Sequence, residues 1–197
     1  MSVAETGLAV LVSRSEVRTP TSDEIGLLKA SHAHLALARK HALHATTEAL
    51  IRAAFAEVKP DGRIPLRRAF EADLGSPAPS DWDDTDRHWS EIPYEVIRAY
   101  APYASTVFIY GNEASFKYYI APFMIFSLNE ALDAALAALS SGGLLPGAKS
   151  RNARLLDNPQ LEAVMSFLTY EQIYGDSAVE SAKIAIRWGQ VSAPTLP

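Results

Sequence analysis

The chain of 197 residues contains no cysteine, and this absence removes several kinds of chemistry at once. Disulfide bonds, thiolate metal ligands and a cysteine nucleophile are all excluded. Long apolar runs are also missing, because no stretch approaches the roughly 20 apolar residues that a membrane-spanning helix needs. The short run from Leu8 to Val12 has no positively charged segment before it, so we expect no signal peptide. These features predict a cytoplasmic protein without a membrane segment.

Recognised catalytic and cofactor motifs are absent as well. The sequence has no G-x-S-x-G nucleophile elbow, no G-x-G-x-x-G loop and no phosphate-binding loop of the Walker type. A net charge of −5 argues against non-specific binding to nucleic acid, which needs clustered lysine and arginine. We therefore expect no cofactor and no nucleic-acid partner. The sequence favours a non-catalytic protein and leaves an enzyme open.

Helical periodicity dominates what is present. Apolar residues make up 48% of the chain and charged residues 21%, which is enough for a packed core. Thr21 and Glu24 form a capping-box pattern at the start of a helical stretch that continues to Val58. Leu28, Leu35 and Ala42 repeat along it at intervals of seven. We expect a break within residues 44–47, where a threonine could cap a second helix, so the stretch is one long helix or a helix pair.

The rest of the chain also has the pattern of helices. Pro93, Asn112 and Asn158-Pro159 are typical of helix starts, and residues 127–130 (SLNE) resemble a capping box that opens an alanine-rich helix. A final helix over residues 177–188 is expected to turn Val179, Ala182 and Ile186 inward. Residues 105–110 (STVFIY) are interpreted as an extended connector. The prediction is an all-α protein, one compact domain of about six helices with a long N-terminal helix or helix pair.

Composition divides the chain into four parts. Residues 1–20 are expected to be a poorly ordered N-terminal segment, and residues 21–58 the N-terminal helical region. A helical core domain follows over residues 59–190, with an acidic loop near 75–90, and residues 191–197 form a tail. The most apolar stretch, residues 116–126, contains Pro122 near its middle, which predicts a kinked or two-piece helix at the centre of the core.

Acidic residues are concentrated in one segment. Residues 71–95 contain eight acids and one base, a net charge of −7, so the remainder of the chain sums to +2. The densest part holds Asp81, Asp83, Asp84 and Asp86. This segment lacks the glycine and the final glutamate of a calcium-binding loop. A hydrated loop or a docking surface for a basic partner is the interpretation.

Aromatic residues are concentrated in the same region. Of 18 Phe, Trp and Tyr residues, 12 lie between Trp82 and Phe126. Tyrosine and tryptophan need a partner for their polar atom and are enriched at binding surfaces. With the four aspartates, the aromatic residues expected to bind a partner are Trp89, Tyr94, Tyr110 and Tyr118, with Tyr118 facing a groove. The alternative is that these rings form the core and the joints between helices.

Histidines supply the only candidates for a metal site. His41, His44 and Glu48 share one helical face and could contribute ligands to zinc. The spacing matches no established zinc motif, and a fourth ligand would have to come from elsewhere. The alternative is an Ala/His-rich helix whose imidazoles point to solvent, and we predict no bound metal.

Several segments together resemble a known family. The quoted segments are IRAAFAEV, HWSEIPYEVIRAY, SFKYYIAPFMIFSL and LEAVMSFLTY, within roughly residues 48–174. Their shared pattern includes Trp89 followed by Ile92-Pro93, and Phe116 followed by Tyr118, Tyr119 and Pro122. This order is similar to an uncharacterised bacterial family of small helical proteins, a domain of unknown function. The resemblance implies a bacterial source and a helical fold, and it implies no activity.

The expected function is binding. We expect a bacterial cytoplasmic accessory protein that engages a protein partner, with immunity-type toxin neutralisers as one class that fits. A second hypothesis is a small-molecule binder or enzyme with a pocket lined by tyrosine and tryptophan. A third is a homo-oligomeric structural protein, in which a homodimer forms through the N-terminal helix.

Overall fold

The computed structural model describes residues 21–82, 87–130, 133–141 and 152–189, and within these ranges the regular structure is helical, with no strand. The all-α prediction is confirmed. The α-helices are α1 (Ser22–Ala54), α2 (Leu66–Leu74), α3 (Tyr94–Tyr100), α4 (Ala104–Tyr110), α5 (Glu113–Asn129), α6 (Ala134–Ser141), α7 (Asn158–Tyr174) and α8 (Ala178–Gly189). Three 3₁₀ turns cover Trp89–Glu91, Ala101–Tyr103 and Asn152–Leu155. Within the described ranges, no helix has both the length and the apolar character to span a membrane.

Helix α1 is one continuous helix of 33 residues. The predicted break within residues 44–47 is therefore wrong. Thr47 does not cap a new helix, because its side chain is fully buried and its hydroxyl lies 2.9 Å from the hydroxyl of Ser166 on α7. A tertiary hydrogen bond thus satisfies the group that was expected to end the helix. The chain divides into two compact units, residues 1–43 and residues 44–197.

The core of the second unit is built around α5. Tyr119, Ile120, Phe123 and Met124 are fully buried there, and α5 packs against α6, α3 and α7. Pro122 lies inside this helix, which continues from Glu113 to Asn129 as one element, so the two-piece alternative is wrong. Because every side of α5 meets other elements, tertiary packing offsets the backbone hydrogen bond that proline removes.

Residues 105–110 are helical, and the predicted extended connector is wrong. They belong to α4, whose Ala104, Val107 and Phe108 are buried at the helical spacing of three and four residues. Helix α4 packs against α2 and α6. Burial of this face outweighs the weak helix propensity of its β-branched and aromatic residues.

Two further expectations about the later helices are also wrong. Ser127 lies within α5 and is not the cap of a capping box; its hydroxyl instead accepts a hydrogen bond from the backbone N–H of Ala135, at 3.1 Å. Helix α8 turns Ser181, Ile184 and Trp188 inward and leaves Val179 and Ile186 exposed. Helix α8 is amphipathic as expected and packs against α7. Its buried stripe is the one opposite to the stripe that was predicted.

Local signals explain three of the helix ends. Asn112 caps α5 by accepting from the backbone N–H of Ser115, at 2.8 Å, and Asp157 and Gln160 form a capping box at the start of α7. Gly75 follows α2 with a φ of +59°, a backbone conformation that glycine adopts without strain. These caps place the helix ends, and hence the loops between them.

Candidate functional site

Two of the aromatic residues expected to bind a partner are interior residues. Trp89 is 2% exposed, and Tyr118 is fully buried. The expectation that Tyr118 faces a groove is wrong, because its hydroxyl donates to the backbone carbonyl of Arg87 and the guanidinium of Arg63 lies 4.5 Å from its ring centroid. Neither ring is presented to a partner.

The interior position of Trp89 serves to close the end of α1. Its indole N–H donates to the carbonyl of Phe55 at 2.6 Å, and Nε2 of His88 lies 2.9 Å from the carbonyl of Ala56. The last carbonyls of a helix have no partner within the helix; the carbonyl of Phe55 accepts from the backbone N–H of Val58 at 3.1 Å as well as from Trp89. We call this arrangement of His88 and Trp89 on the end of α1 the carbonyl clamp.

Tyr110 lies on an exposed surface formed by α2, α4 and the turn before α4. We call it the α2–α4 surface, and its residues are Asp73, Tyr103, Thr106, Ile109 and Tyr110. Ile109 is 54% exposed and Tyr110 44%, although the opposite side of α4 is buried. The ring of Tyr103 packs edge-on against the buried Phe70, with centroids 4.9 Å apart. Large apolar and aromatic groups therefore remain open to solvent on helices that are well packed underneath.

Asp73 gives this surface its polar anchor. Its carboxylate accepts a hydrogen bond from the hydroxyl of Thr106, at 3.1 Å. Its interaction with the hydroxyl of Tyr110 is the main cause that raises the pKa of Tyr110 above its usual value. The exposed ring of Tyr110 thus has an acidic neighbour without being covered.

Tyr94 lies in a separate polar network with Glu130 and Arg98. Its hydroxyl donates to Oε1 of Glu130 at 2.5 Å, and Arg98 donates to the same oxygen at 2.8 Å. Burial of the ring against Phe126, followed by the hydrogen bond to Glu130, raises the pKa of Tyr94 to about 12. The same hydrogen bond is the main cause that lowers the pKa of Glu130. This network joins α3 to the end of α5.

Of the four predicted aspartates, only Asp81 lies within the described residues. Its side chain is 98% exposed, and its carboxylate lies 3.8 Å from Nη1 of Arg67 on α2. Asp83, Asp84 and Asp86 lie outside the described residues. The acidic segment thus begins next to α2, one of the two helices that form the α2–α4 surface.

The three candidate metal ligands remain separate groups. His44 packs edge-on against the ring of Tyr170, with centroids 5.7 Å apart, and Glu48 pairs with Arg52 at 2.7 Å. His41 is exposed. Across the part of the chain that the structure describes, no three histidine or acidic side chains come together as a set of metal ligands.

An open cleft of about 510 Å³ lies where the end of α1 meets the starts of α5 and α7. Its walls carry both signs of charge, including Glu57, Lys59 and Lys117. None of its lining residues is aromatic: Ala53, Ala54, Glu57, Val58, Lys59, Asp61, Ala114, Lys117, Asp157, Pro159 and Gln160. It is therefore unlike the tyrosine- and tryptophan-lined pocket of the second sequence hypothesis.

Sequence reasoning missed Asp73, Thr106 and Ile109. A signal for them existed, since a helical interpretation of residues 104–110 places Ala104, Val107 and Phe108 on one face and leaves Thr106, Ile109 and Tyr110 on the others. The strand-like composition of this segment concealed that periodicity.

The fold and this surface define a small all-α domain with an exposed aromatic and acidic face. A family model matches residues 44–191, and the chain belongs to that family, described as a family of unknown function (DUF6714). The resemblance noted in the sequence is therefore confirmed as membership of a family of unknown function. No curated protein and no solved structure matches the chain. The predicted boundary between residues 58 and 59 stays a prediction, and the family match begins at residue 44.

Proposed function

We propose that the protein binds a protein partner with a basic surface through the α2–α4 surface. The observation that carries this proposal is the exposure of Ile109 and Tyr110 beside Asp73. Tyrosine is enriched among the residues that dominate binding energy, because it offers a large rigid ring with a polar tip. A patch of this kind on a well-packed helix is typical of an interaction surface.

The charge of the region determines the kind of partner. Residues 71–95 carry a net charge of −7, and they include Asp73 within the surface and Asp81, which lies 3.8 Å from Arg67 on α2. Acidic groups around an apolar centre favour a partner with lysine and arginine at the corresponding positions. Such charges increase the association rate, and salt weakens their effect. Neutralisation of a basic toxin, as immunity-type proteins perform it, is the narrower form of this proposal.

Site-specific photo-crosslinking in the source cells tests the proposal. A photoreactive amino acid at Ile109 should capture a basic protein, and the same amino acid at Ile173, which is 58% exposed on α7, should not. A partner captured equally from both positions, or no partner at all, would contradict the proposal.

Affinity measurements with the purified partner provide the second test. Tyr110→Ala should weaken binding at least about tenfold, which corresponds to roughly 1.4 kcal/mol. Asp73→Asn should slow association and reduce its salt dependence. Ile186→Ala, an exposed position on α8, is the matched control and should bind like the wild type. An affinity of Tyr110→Ala within about twofold of the wild type would show that the surface is not the binding site.

A further inference from the structure

The N-terminal part of α1, residues 22–43, offers a second surface that is independent of the first. Most of its residues are exposed, and they include large apolar ones: Ile25, Leu27, Leu35 and Leu37. In proteins, most of the stability of a helix comes from the packing of one face against a partner rather than from helix propensity. A partner that covers one face of this segment would supply such packing.

One face of the segment carries apolar residues at intervals, with Ser31 between Leu28 and Leu35. We call it the arm stripe, and its residues are Ile25, Leu28, Leu35, Ala38 and Ala42. Leu28, Leu35 and Ala42 are spaced by seven residues, a repeat that keeps side chains on one side of a helix and is typical of paired helices. Leu28 is half-buried, while Leu35 and Ala42 are exposed. The alanines allow a second helix to approach closely, near the short end of the usual 8 to 10 Å between axes.

We propose that the occupant of the arm stripe is the arm stripe of a second copy, with the two helices antiparallel. In the register that pairs Leu28 with Leu35 of the second copy, Ile25 lies opposite Ala38. Each large side chain then meets a leucine or an alanine, and every contact occurs twice about a two-fold axis between residues 31 and 32. The surface is complementary to itself, as a symmetric dimer requires.

The charges of the segment support the antiparallel orientation. Asp23 and Glu24 lie at its start, and Arg39 and Lys40 lie near its end. The same register places position 23 of one copy opposite position 40 of the other, and position 24 opposite position 39. The acidic start of each helix thus lies beside the basic end of the other helix. A parallel pair would place like charges side by side. The helix dipoles also favour the antiparallel arrangement.

Light scattering and sedimentation equilibrium of the full chain test the dimer. About three heptads form a small interface, so we expect monomers and dimers to exchange between roughly 2 and 200 µM. Leu35→Glu should give a monomer throughout, since it introduces a charge twice into the interface while glutamate keeps the helix. Leu37→Glu, at an exposed leucine on the opposite face, is the matched control and should leave the dimer unchanged. A monomeric wild type, or a dimer that only Leu37→Glu disrupts, would overturn the proposal.

The absence of cysteine allows a clean test of orientation. In an antiparallel pair, Ser31→Cys lies beside its counterpart at the two-fold axis and should form an intermolecular disulfide under mild oxidation. Ala42→Cys should form none, because its counterpart is about 21 residues away along the axis, roughly 30 Å. Efficient crosslinking of Ala42→Cys would indicate a parallel pair and overturn the antiparallel arrangement. Neither variant alters the α2–α4 surface, so this test and the crosslinking from Ile109 succeed or fail separately.

Discussion

Replacing Trp89 with phenylalanine tests whether the carbonyl clamp stabilises the fold. Trp89 is almost fully buried, and its indole N–H donates to the carbonyl of Phe55 over 2.6 Å. Phe55 is itself fully buried at the end of α1. Phenylalanine keeps an aromatic ring at this position and removes one of the two donors to this carbonyl, which retains the backbone N–H of Val58 at 3.1 Å.

The expected loss combines two contributions. Loss of one of the two hydrogen bonds to this carbonyl costs about 0.5 to 1.5 kcal/mol, and the smaller ring leaves a space that adds about 1 kcal/mol. We therefore expect the free energy of unfolding to fall by about 1.5 to 2.5 kcal/mol. For a domain of this size, each kcal/mol lowers the Tm by about 2 to 4 °C. Urea unfolding followed by far-ultraviolet circular dichroism measures the change directly.

Trp82→Phe is the matched control. Trp82 is half-buried, and no hydrogen bond joins its indole to another described residue. We expect it to lose less than about 1 kcal/mol. If Trp89→Phe lost no more than Trp82→Phe, the hydrogen bond to Phe55 would contribute nothing, and the reasoning about the clamp would be refuted.

Two further predictions concern other buried or networked polar groups. Ser115→Ala should lower the free energy of unfolding by about 1 to 3 kcal/mol, because the Ser115 hydroxyl accepts from the N–H of Ile64 at 2.7 Å. The control in urea unfolding is Thr169→Ala, at an exposed position. Equal losses of stability in the two variants would count against this role of Ser115. The raised pKa of Tyr94 means that its neutral form stabilises the fold fully below pH 10 and that this stabilisation is lost as the pH rises from 10 to about 12. Glu130→Gln should lower the pKa of Tyr94 toward 10. NMR titration of ¹³C-labelled tyrosine measures this pKa, and Tyr94→Phe assigns the signal. An unchanged pKa in Glu130→Gln would contradict the network.

Helix content could be predicted from the sequence because its signals are local. Asn112 and the start of α7 carry side chains that bond to backbone groups three residues away, and such caps are readable without tertiary information. The break expected near Thr47 could not be judged in this way. Its hydroxyl reaches Ser166, which is 119 residues away in the sequence, and no local pattern indicates that contact.

The candidate surface could be predicted only in part, because contacts between residues distant in the sequence decide which of its side chains are exposed. Composition located the acidic and aromatic region, and Tyr110 lies on the exposed surface that the structure shows. Composition could not separate exposed tyrosines from buried ones, since each has a polar atom that needs a partner. Tyr118 finds its partner in the backbone of Arg87, inside the fold, whereas Tyr110 finds it in Asp73, at the surface.

The buried aromatic residues bear on the proposed binding, because they hold the chain on both sides of residues 83–86. Before this segment, the hydroxyl of Tyr100 donates to the carbonyl of Ser80 at 3.4 Å. After it, the hydroxyl of Tyr118 donates to the carbonyl of Arg87, and the indole N–H of Trp89 donates to the carbonyl of Phe55. The described residues on both sides of residues 83–86 are thus attached to the core. A partner that uses these charges gives up less chain entropy than it would with a free acidic tail. Under the proposed function, the role of these interior tyrosines and of Trp89 is to fix where the acidic segment begins and ends, without touching the partner.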